Sequence, residues 1–199
     1  MKAVFLSFLT LFVWLLCPPV KSYSQPTETS QRFTVWGGYS ATSVYFLGKT
    51  RNAQTQLMAF GYQKVLQEYK PSKFLWYTAD VIPYLHFDYP KRDENDRRTT
   101  RQGLGFSPVG FMATNHISRF INPFARTTGG VILMNDTFPT DGARNLNFTF
   151  DITLGNSITL DKQTFFSFGY KFHHISNAQT GSENPGLDSN FFFLKISIQ

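Results

Sequence analysis

Apolar and polar residues alternate along several segments of this chain, and the clearest is NLNFTFDITLG at 145–155. One face of this segment would carry Leu146, Phe148, Phe150, Ile152 and Leu154, and the other Asn145, Asn147, Thr149, Asp151 and Thr153. A period of two is typical of a β-strand whose two faces meet different surroundings. No segment of useful length has a helical period, so the pattern predicts an all-β fold.

Eight segments of this kind predict eight strands, and the connections between them alternate in length. The predicted strands are 32–45, 54–68, 73–86, 103–113, 118–133, 144–156, 163–176 and 188–199. Short turns follow strands two, four and six, and longer polar loops follow the others. This alternation is typical of an eight-stranded antiparallel transmembrane β-barrel of the outer-membrane type. Such a barrel has no free sheet edge in lipid and is filled by its own side chains.

The first 24 residues predict a secretory signal peptide. Lys2 precedes an apolar run at 3–16, and the small residues Ser22 and Ser24 stand three residues and one residue before the predicted cut. We therefore expect residues 1–24 to be removed and residues 25–199 to form a single barrel domain in the outer membrane. A lipoprotein signal using Cys17 is the alternative, but the residues before this cysteine, WLL, fit such a signal poorly.

The composition of the remaining chain supports export without disulfides. It keeps 17 basic and 13 acidic residues and no cysteine, which excludes thiol chemistry. It has no second apolar run long enough for a transmembrane helix. Phe is abundant, with 22 residues in the full sequence, and aromatic residues favour strands. A soluble eight-stranded barrel of the lipocalin type is the alternative fold; it would need the Phe-rich faces to point inward, and it leaves the alternation of loop lengths unexplained.

The seventh predicted strand brings polar residues to its lipid-facing side. In TFFSFGYKFHHIS, 164–176, the even positions are mostly aromatic, whereas the odd positions include Lys171 and His173. His174 and Ser176 therefore share the lipid side, with Cβ atoms roughly 6–7 Å apart. Asp188 begins the next strand on the same side, so the three residues should converge near the outer rim. Polar residues facing lipid are costly and indicate function; solvated strand ends are the plainer interpretation.

The segment HISNA…NPGLD, from His174 to Asp188, resembles the signature of the outer-membrane lipid A 3-O-deacylases, also called the acyloxyacyl hydrolase family. The resemblance implies hydrolysis of an ester-linked acyl chain of lipid A in lipopolysaccharide. It implies Ser176 as the nucleophile, His174 as the general base and Asp188 as the acid. It also implies that the Asn177 side chain and the Gln179 backbone N–H stabilise the oxyanion. It implies no metal or other cofactor, and we expect no nucleic-acid partner.

The sequence departs from the family pattern at two positions. The family can have Glu where this chain has Asp188, and Glu183 in the preceding loop is the alternative acid. The family can also have Gly where Gln179 stands, and a side chain there restricts the backbone. The alternative function is a non-catalytic barrel for adhesion or membrane integrity, in which the motif is an inactive remnant.

Two surfaces are candidates for contacts with the substrate. We expect the acyl chain to lie against the lipid-facing aromatic residues Phe166, Phe168, Phe172 and Phe192. The basic loop KRDENDRRTTR at 91–101 would meet the lipid A phosphates through its arginines, for which guanidinium groups are well suited. An ordinary solvated loop is the alternative for this segment. The adjacent pair His173 and His174 is a poor metal site, because neighbouring strand residues point to opposite faces.

Overall fold

The computed structural model describes residues 31–91 and 97–199. Within these ranges the chain forms eight long β-strands and one short one. They are β1 Gln31–Ser40, β2 Ser43–Val44, β3 Gln54–Lys70, β4 Lys73–Pro90, β5 Arg98–Asn115, β6 Asn122–Phe138, β7 Arg144–Thr159, β8 Thr164–Ser176 and β9 Leu187–Ile198. The predicted signal peptide, residues 1–24, lies outside the described residues.

The long strands pair in chain order, and the first pairs with the last. β1 lies antiparallel to both β3 and β9, which closes the sheet, and the short β2 extends the pairing with β9. The predicted eight-stranded antiparallel barrel is therefore confirmed. Among the described residues, no helix is long and apolar enough to cross a membrane.

The Phe-rich faces of the strands point outward. In β7 the exposed side chains include Phe148 and Phe150, each more than two-fifths exposed, whereas Asn147, Thr149 and Asp151 are buried inside the barrel. The same alternation runs through β8 and β9. An outer surface of this kind matches a barrel in lipid. It is the reverse of the arrangement that the lipocalin-type alternative requires.

The two ends of the barrel differ. Short turns join β3 to β4, β5 to β6 and β7 to β8 at the end where both described termini lie. Ser118 and Asp161 close two of these turns by accepting hydrogen bonds from backbone N–H groups two and three residues ahead. The bonds from Gln163 and Thr164 to Asp161, above all the one from Gln163 N–H, lower the pKa of the Asp161 carboxyl. The opposite end carries the loops 45–53 and 177–186, which are longer than any of these turns, and the five-residue loop 139–143.

β4 and β5 are longer than the sequence pattern predicts. Most of the described residues of the predicted loop at 88–102 belong to strands, because the ladder continues through Asp88 opposite Thr100 and on to Pro90 opposite Arg98. Although this segment is mostly polar, alternate side chains at its start point into the barrel. Phe87 and Tyr89 are fully buried, and both rings pack against Phe138.

Two other predicted strands differ in their bounds. The predicted strand 118–133 lies about four residues too early, since Ser118 closes a turn and β6 begins at Asn122. The predicted first strand 32–45 is interrupted after Ser40. The chain bends there, resumes as β2 against β9, and then folds over the outside of the barrel. This departure forms part of the site described below.

Charged and polar side chains fill the interior. Asp80 accepts hydrogen bonds from the guanidinium of Arg126 and the indole N–H of Trp36. Asp151 binds His173 and, at 2.7 Å, the ammonium group of Lys171. All these groups are nearly or fully buried. Buried carboxylates persist when cations and hydrogen-bond donors surround them, so both acids are compensated within the interior.

Candidate active site

His174 and Asp188 are direct cross-strand partners on the outward face of β8 and β9. Their Nδ1 and Oδ1 atoms are 2.6 Å apart, a short hydrogen bond. His173, the preceding residue, points the other way and contacts Asp151 inside the barrel. The two histidines therefore belong to separate environments. Because Asp188 occupies Nδ1 of His174, the Nε2 atom of this imidazole is left to face other groups.

Asp188 is fully buried although it belongs to the outer face. The cover is the segment 45–48, which follows β2 and which we call the strap. Three successive backbone N–H groups of the strap, from Phe46, Leu47 and Gly48, donate to Asp188 Oδ2 at 3.1, 2.6 and 2.8 Å. Charge-assisted bonds of this kind are among the strong ones in proteins. They hold the carboxylate while its other oxygen binds His174.

The strap is itself held by backbone contacts with the loop before β9. Lys49 N–H donates to the carbonyl of Pro185, and Thr50 N–H donates to that of Gly186. Gly48 packs so closely on Leu187 that a Cβ atom at Gly48 would lie 2.6 Å from the Leu187 nitrogen. Only a residue without a side chain fits there, so the strap and the start of β9 are pressed together.

Ser176 ends β8 on the same face as His174, two residues further along. It is only partly exposed, and Phe148 of β7 is its cross-strand partner. The side chain of Ser176 takes part in none of the hydrogen bonds between described residues. The structure therefore joins His174 to Asp188 directly, and it places Ser176 beside them with its hydroxyl uncommitted to the rest of the described chain.

The residues after Ser176 form a tight turn. Thr180 N–H donates to the carbonyl of Asn177, and the two central residues, Ala178 and Gln179, have φ of +52° and +66°. Two positive φ values characterise a type I′ turn, which favours glycine or asparagine at these positions. Gln179 therefore adopts the left-handed conformation that glycine would take more easily, at some cost in strain.

The side chain of Asn177 is partly committed within this loop. It is buried, and its Nδ2 donates to the carbonyl of Glu183 at 2.7 Å. An amide nitrogen carries two hydrogens, so one of them remains for another acceptor. Asn184 in turn accepts a hydrogen bond from the Asn177 backbone N–H. These contacts make the loop a rigid support beside Ser176.

Of the two candidate acids, Asp188 is the one that contacts His174. Glu183 is exposed, and its side chain lies against Gly142 in the neighbouring loop. The backbone of Glu183 supports the loop by accepting from Asn177 and donating to Gly142. Glu183 is thus a structural residue of the loop rather than a partner of the imidazole.

Apolar side chains flank the polar cluster on both sides. On the β7 side, Phe150 is the cross-strand partner of His174, as Phe148 is of Ser176, and both rings are exposed. On the β9 side, Phe46 of the strap meets Phe172 edge-to-face at 5.8 Å between ring centroids. Sequence reasoning missed Phe148, Phe150 and the strap. The alternation placed the two phenylalanines on the outer face but not next to the histidine.

The expected acyl-chain surface needs one correction. Phe166 and Phe168 lie eight to ten residues before Ser176 on β8, about 26–33 Å away by the strand rise. That distance approaches the full thickness of a bilayer core, so these two rings are too remote. Phe172 lies near the cluster, and Phe192 is two residues beyond Asn190, the cross-strand partner of Phe172.

The expected basic loop is also different from the prediction. Arg98 and Arg101 belong to β5, and each pairs with a carboxylate, Asp88 at 2.9 Å and Asp136 at 2.8 Å. Lys91 pairs with Asp141 in another loop. Residues 92–96 lie outside the described part of the chain. The described basic residues thus link strand and loop ends of this barrel end together.

In the described ranges, no group of three or more His, Cys, Asp or Glu side chains could hold a metal ion. The fold and the site define the class of protein: an outer-membrane-type β-barrel with a histidine–carboxylate pair on its outer surface, near one rim. A family model, "Lipid A 3-O-deacylase (PagL)", matches residues 52–197. The chain belongs to the PagL family of lipid A 3-O-deacylases.

The solved structure of one outer-membrane enzyme agrees with this assignment of the fold. The chain is similar to the outer membrane enzyme PagL, with 20% sequence identity and a TM-score of 0.57, over 83% of this chain and 99% of that one. It is also similar to Neisserial surface protein A, with 9% identity and a TM-score of 0.49, over 84% and 96% of the two chains. A search of curated proteins finds no match.

Proposed function

We propose that this protein is an outer-membrane esterase that removes a 3-O-linked acyl chain from lipid A through a Ser176–His174–Asp188 mechanism. The observation that carries the proposal is the hydrogen bond between His174 and Asp188 on the outward face, with the acid buried under the strap. A carboxylate bound to Nδ1 keeps the proton there and leaves Nε2 free to act as a base. Membership of the lipid A 3-O-deacylase family supports the choice of substrate.

The reaction follows from these positions. His174 Nε2 takes the hydroxyl proton as Ser176 Oγ attacks the ester carbonyl, and the Asp188 carboxylate stabilises the imidazolium that forms. Collapse of the tetrahedral intermediate breaks the bond to the sugar oxygen, which receives the proton from His174. Water then attacks the acyl-enzyme with His174 again as base. The products are the free fatty acid and the 3-hydroxyl group of the sugar.

The turn after Ser176 is suited to stabilise the oxyanion. Residues 177–180 form this turn, whose positive φ values turn successive backbone N–H groups toward one side. We assign the Gln179 N–H and the remaining hydrogen of Asn177 Nδ2 as the two donors. Loss of one such donor typically costs about 3–4 kcal/mol of transition-state stabilisation in a serine hydrolase.

The position of the site suits a substrate that stays in the bilayer. The cluster lies at the end of the barrel with the longer loops, which is the extracellular end in outer-membrane barrels. Lipid A would present its ester at the level of the outer leaflet, with the acyl chain against Phe148 and Phe150. Because lipid tails are as apolar as these rings, the rings would orient the acyl chain through van der Waals packing rather than through a hydrophobic gain.

The decisive experiment is mass spectrometry of lipid A after incubation with the detergent-purified protein. We expect loss of one hydroxyacyl chain with the native protein and none with Ser176→Ala. Ser182→Ala changes a serine of the loop 177–186 whose hydroxyl donates to the Gly142 carbonyl; it is the matched control and should retain activity. If native protein that migrates as a folded barrel releases no acyl chain, the proposal is wrong and a non-catalytic barrel becomes the better interpretation.

A further inference from the structure

A small cavity inside the barrel is lined in part by basic side chains. Its volume is about 10 Å³, which is room for roughly one water molecule or one small ion. Seven side chains line it: Trp36, Phe124, Arg126, Thr153, Lys171, Phe193 and Lys195. Three of them are basic, and none is a carboxylate. The cavity lies on the inner side of the barrel wall, whereas His174 and Asp188 lie on its outer side.

The carboxylates of the interior are already bound to other cations. Asp80 pairs with Arg126, and Asp151 pairs with Lys171. Lys195 has no ion pair or hydrogen bond among the described residues, and its ammonium group lies 4.7 Å from the centroid of the Phe124 ring. An aromatic face attracts a cation but carries no counter-charge.

The buried charges inside the barrel are therefore unbalanced. The inward-facing buried charged residues of the described chain are Arg32, Asp80, Arg126, Asp151, Lys171 and Lys195, four basic and two acidic. Arg32 is removed from the cavity wall and stacks on Trp76 and Phe165. Buried charges without partners are strongly disfavoured. An anion at the cavity would neutralise Lys195 and complete its hydrogen bonding.

Hydrogen-bond donors are also available at the cavity wall. Arg126 uses Nε for Thr78 and Nη2 for Asp80, which leaves the Nη1 group of its guanidinium. Thr153 adds a hydroxyl group. From the cations, the donors and the size of the cavity, we infer that the barrel interior binds one monatomic halide anion, chloride in the cell, between Lys195, Arg126 and Thr153. The ion would act as a structural counter-ion, independent of hydrolysis at the outer surface.

Bromide provides a direct test because it replaces chloride and scatters anomalously. Crystals of the detergent-purified protein grown in sodium bromide should show one anomalous peak in this cavity, within hydrogen-bond distance of Lys195 Nζ. Crystals of Lys195→Met should lack it. The absence of a peak in the cavity of the native protein would overturn the inference, and Lys195 would then be stable without a counter-ion.

A solution measurement covers the case in which the variant does not crystallise. The thermal midpoint of the native barrel should rise by about 3–5 °C in sodium chloride relative to sodium gluconate at the same ionic strength, since gluconate is too large for the cavity. Lys162→Met, which removes an exposed turn lysine, should respond as the native protein does, and Lys195→Met should not respond. If the native barrel shows no chloride dependence, or if Lys195→Met responds equally, the site does not exist.

Discussion

His174 and Asp188 face each other across β8 and β9, and the strap holds the second oxygen of the acid from the opposite side. This relationship makes Asp188→Asn a selective change. The asparagine oxygen can still accept the N–H groups of the strap, but its NH₂ group would face His174 and force Nδ1 to accept. The proton of the imidazole would then sit on Nε2, where the base is needed.

We expect Asp188→Asn to lower kcat by about 10⁴-fold, as loss of the correct tautomer does in serine hydrolases, with little change in thermal stability. Rates of fatty-acid release in mixed micelles would measure the effect. Glu183→Gln should leave the rate within about twofold. A severe loss with Glu183→Gln and none with Asp188→Asn would exchange the roles of the two acids.

Gly48→Ala should disturb the strap without removing any hydrogen-bonding group. The added Cβ would lie 2.6–2.8 Å from backbone atoms of Gly186 and Leu187, so the strap must shift away from Asp188. We expect kcat to fall about tenfold, since a small misplacement of a catalytic group is costly, whereas KM should change less. Gly37→Ala is the control, because its Cβ would meet only an ordinary contact at 3.5 Å. Equal rates for Gly48→Ala and native protein would show that the strap does not position the acid.

Gln179→Gly should relieve the left-handed strain in the turn after Ser176. The gain of about 1 kcal/mol is partly offset by the greater freedom of glycine in the unfolded chain. We expect equal or slightly higher thermal stability with activity retained, because glycine keeps the backbone N–H. Gln179→Val should instead lose about 1–2 kcal/mol, since β-branched residues tolerate positive φ poorly. A valine variant as stable as the glycine variant would contradict this account.

Phe150→Ala should weaken productive binding of long acyl chains. The ring is exposed next to His174, where its van der Waals contacts would hold the acyl chain in line with the imidazole. We expect kcat/KM for lipid A to fall about tenfold, while hydrolysis of a short soluble ester stays near the native rate. Phe168→Ala changes a similar exposed ring near the other end of β8 and should have no effect on either substrate. Equal losses for both variants would argue against a localised acyl site.

Asp151→Asn should destabilise the barrel without involving the outer surface. The change removes the ion pair with Lys171 and leaves a buried ammonium group, which typically costs about 3–5 kcal/mol. Heat-modified mobility in gels would report the shift in unfolding temperature. Asp136→Asn breaks the more exposed pair with Arg101 and should cost no more than about 1 kcal/mol. Similar shifts in unfolding temperature for the two variants would show that the buried ion pair contributes no more to stability than the exposed one.

Much of the fold could be predicted from the sequence because a barrel in lipid imposes a strict period of two. The segment 145–155 shows both faces without ambiguity, and β8 and β9 follow it closely enough to bring His174 opposite Asp188. The ends of the strands could not be predicted as well. Around Asp88 and Arg98, β4 and β5 continue beyond the apolar part of the strands, and their charged residues pair with each other. A run of charged residues in the sequence is typical of a loop, so the pattern does not indicate these strand ends.

The strap could not be predicted because its contacts use the backbone. Phe46, Leu47 and Gly48 bind Asp188 through N–H groups that every residue except proline possesses, so no residue type signals the contact. The sequence pattern ends the first strand at residue 45 and leaves these three residues outside it, with no contact expected of them. The uncommitted position of Lys195 likewise depends on which carboxylates its neighbours bind, and this is a property of the closed interior.

The strap also ties the site to the way in which the barrel is completed. The donors of Asp188 lie about 140 residues earlier in the chain, just beyond the strand that meets β9 when the sheet closes. Until the first and last strands join, the acid has no cover and the imidazole has no firmly held partner. On the proposed mechanism, pairing of β1 with β9 would complete the reactive arrangement, and a barrel whose sheet is still open would lack a firmly held acid.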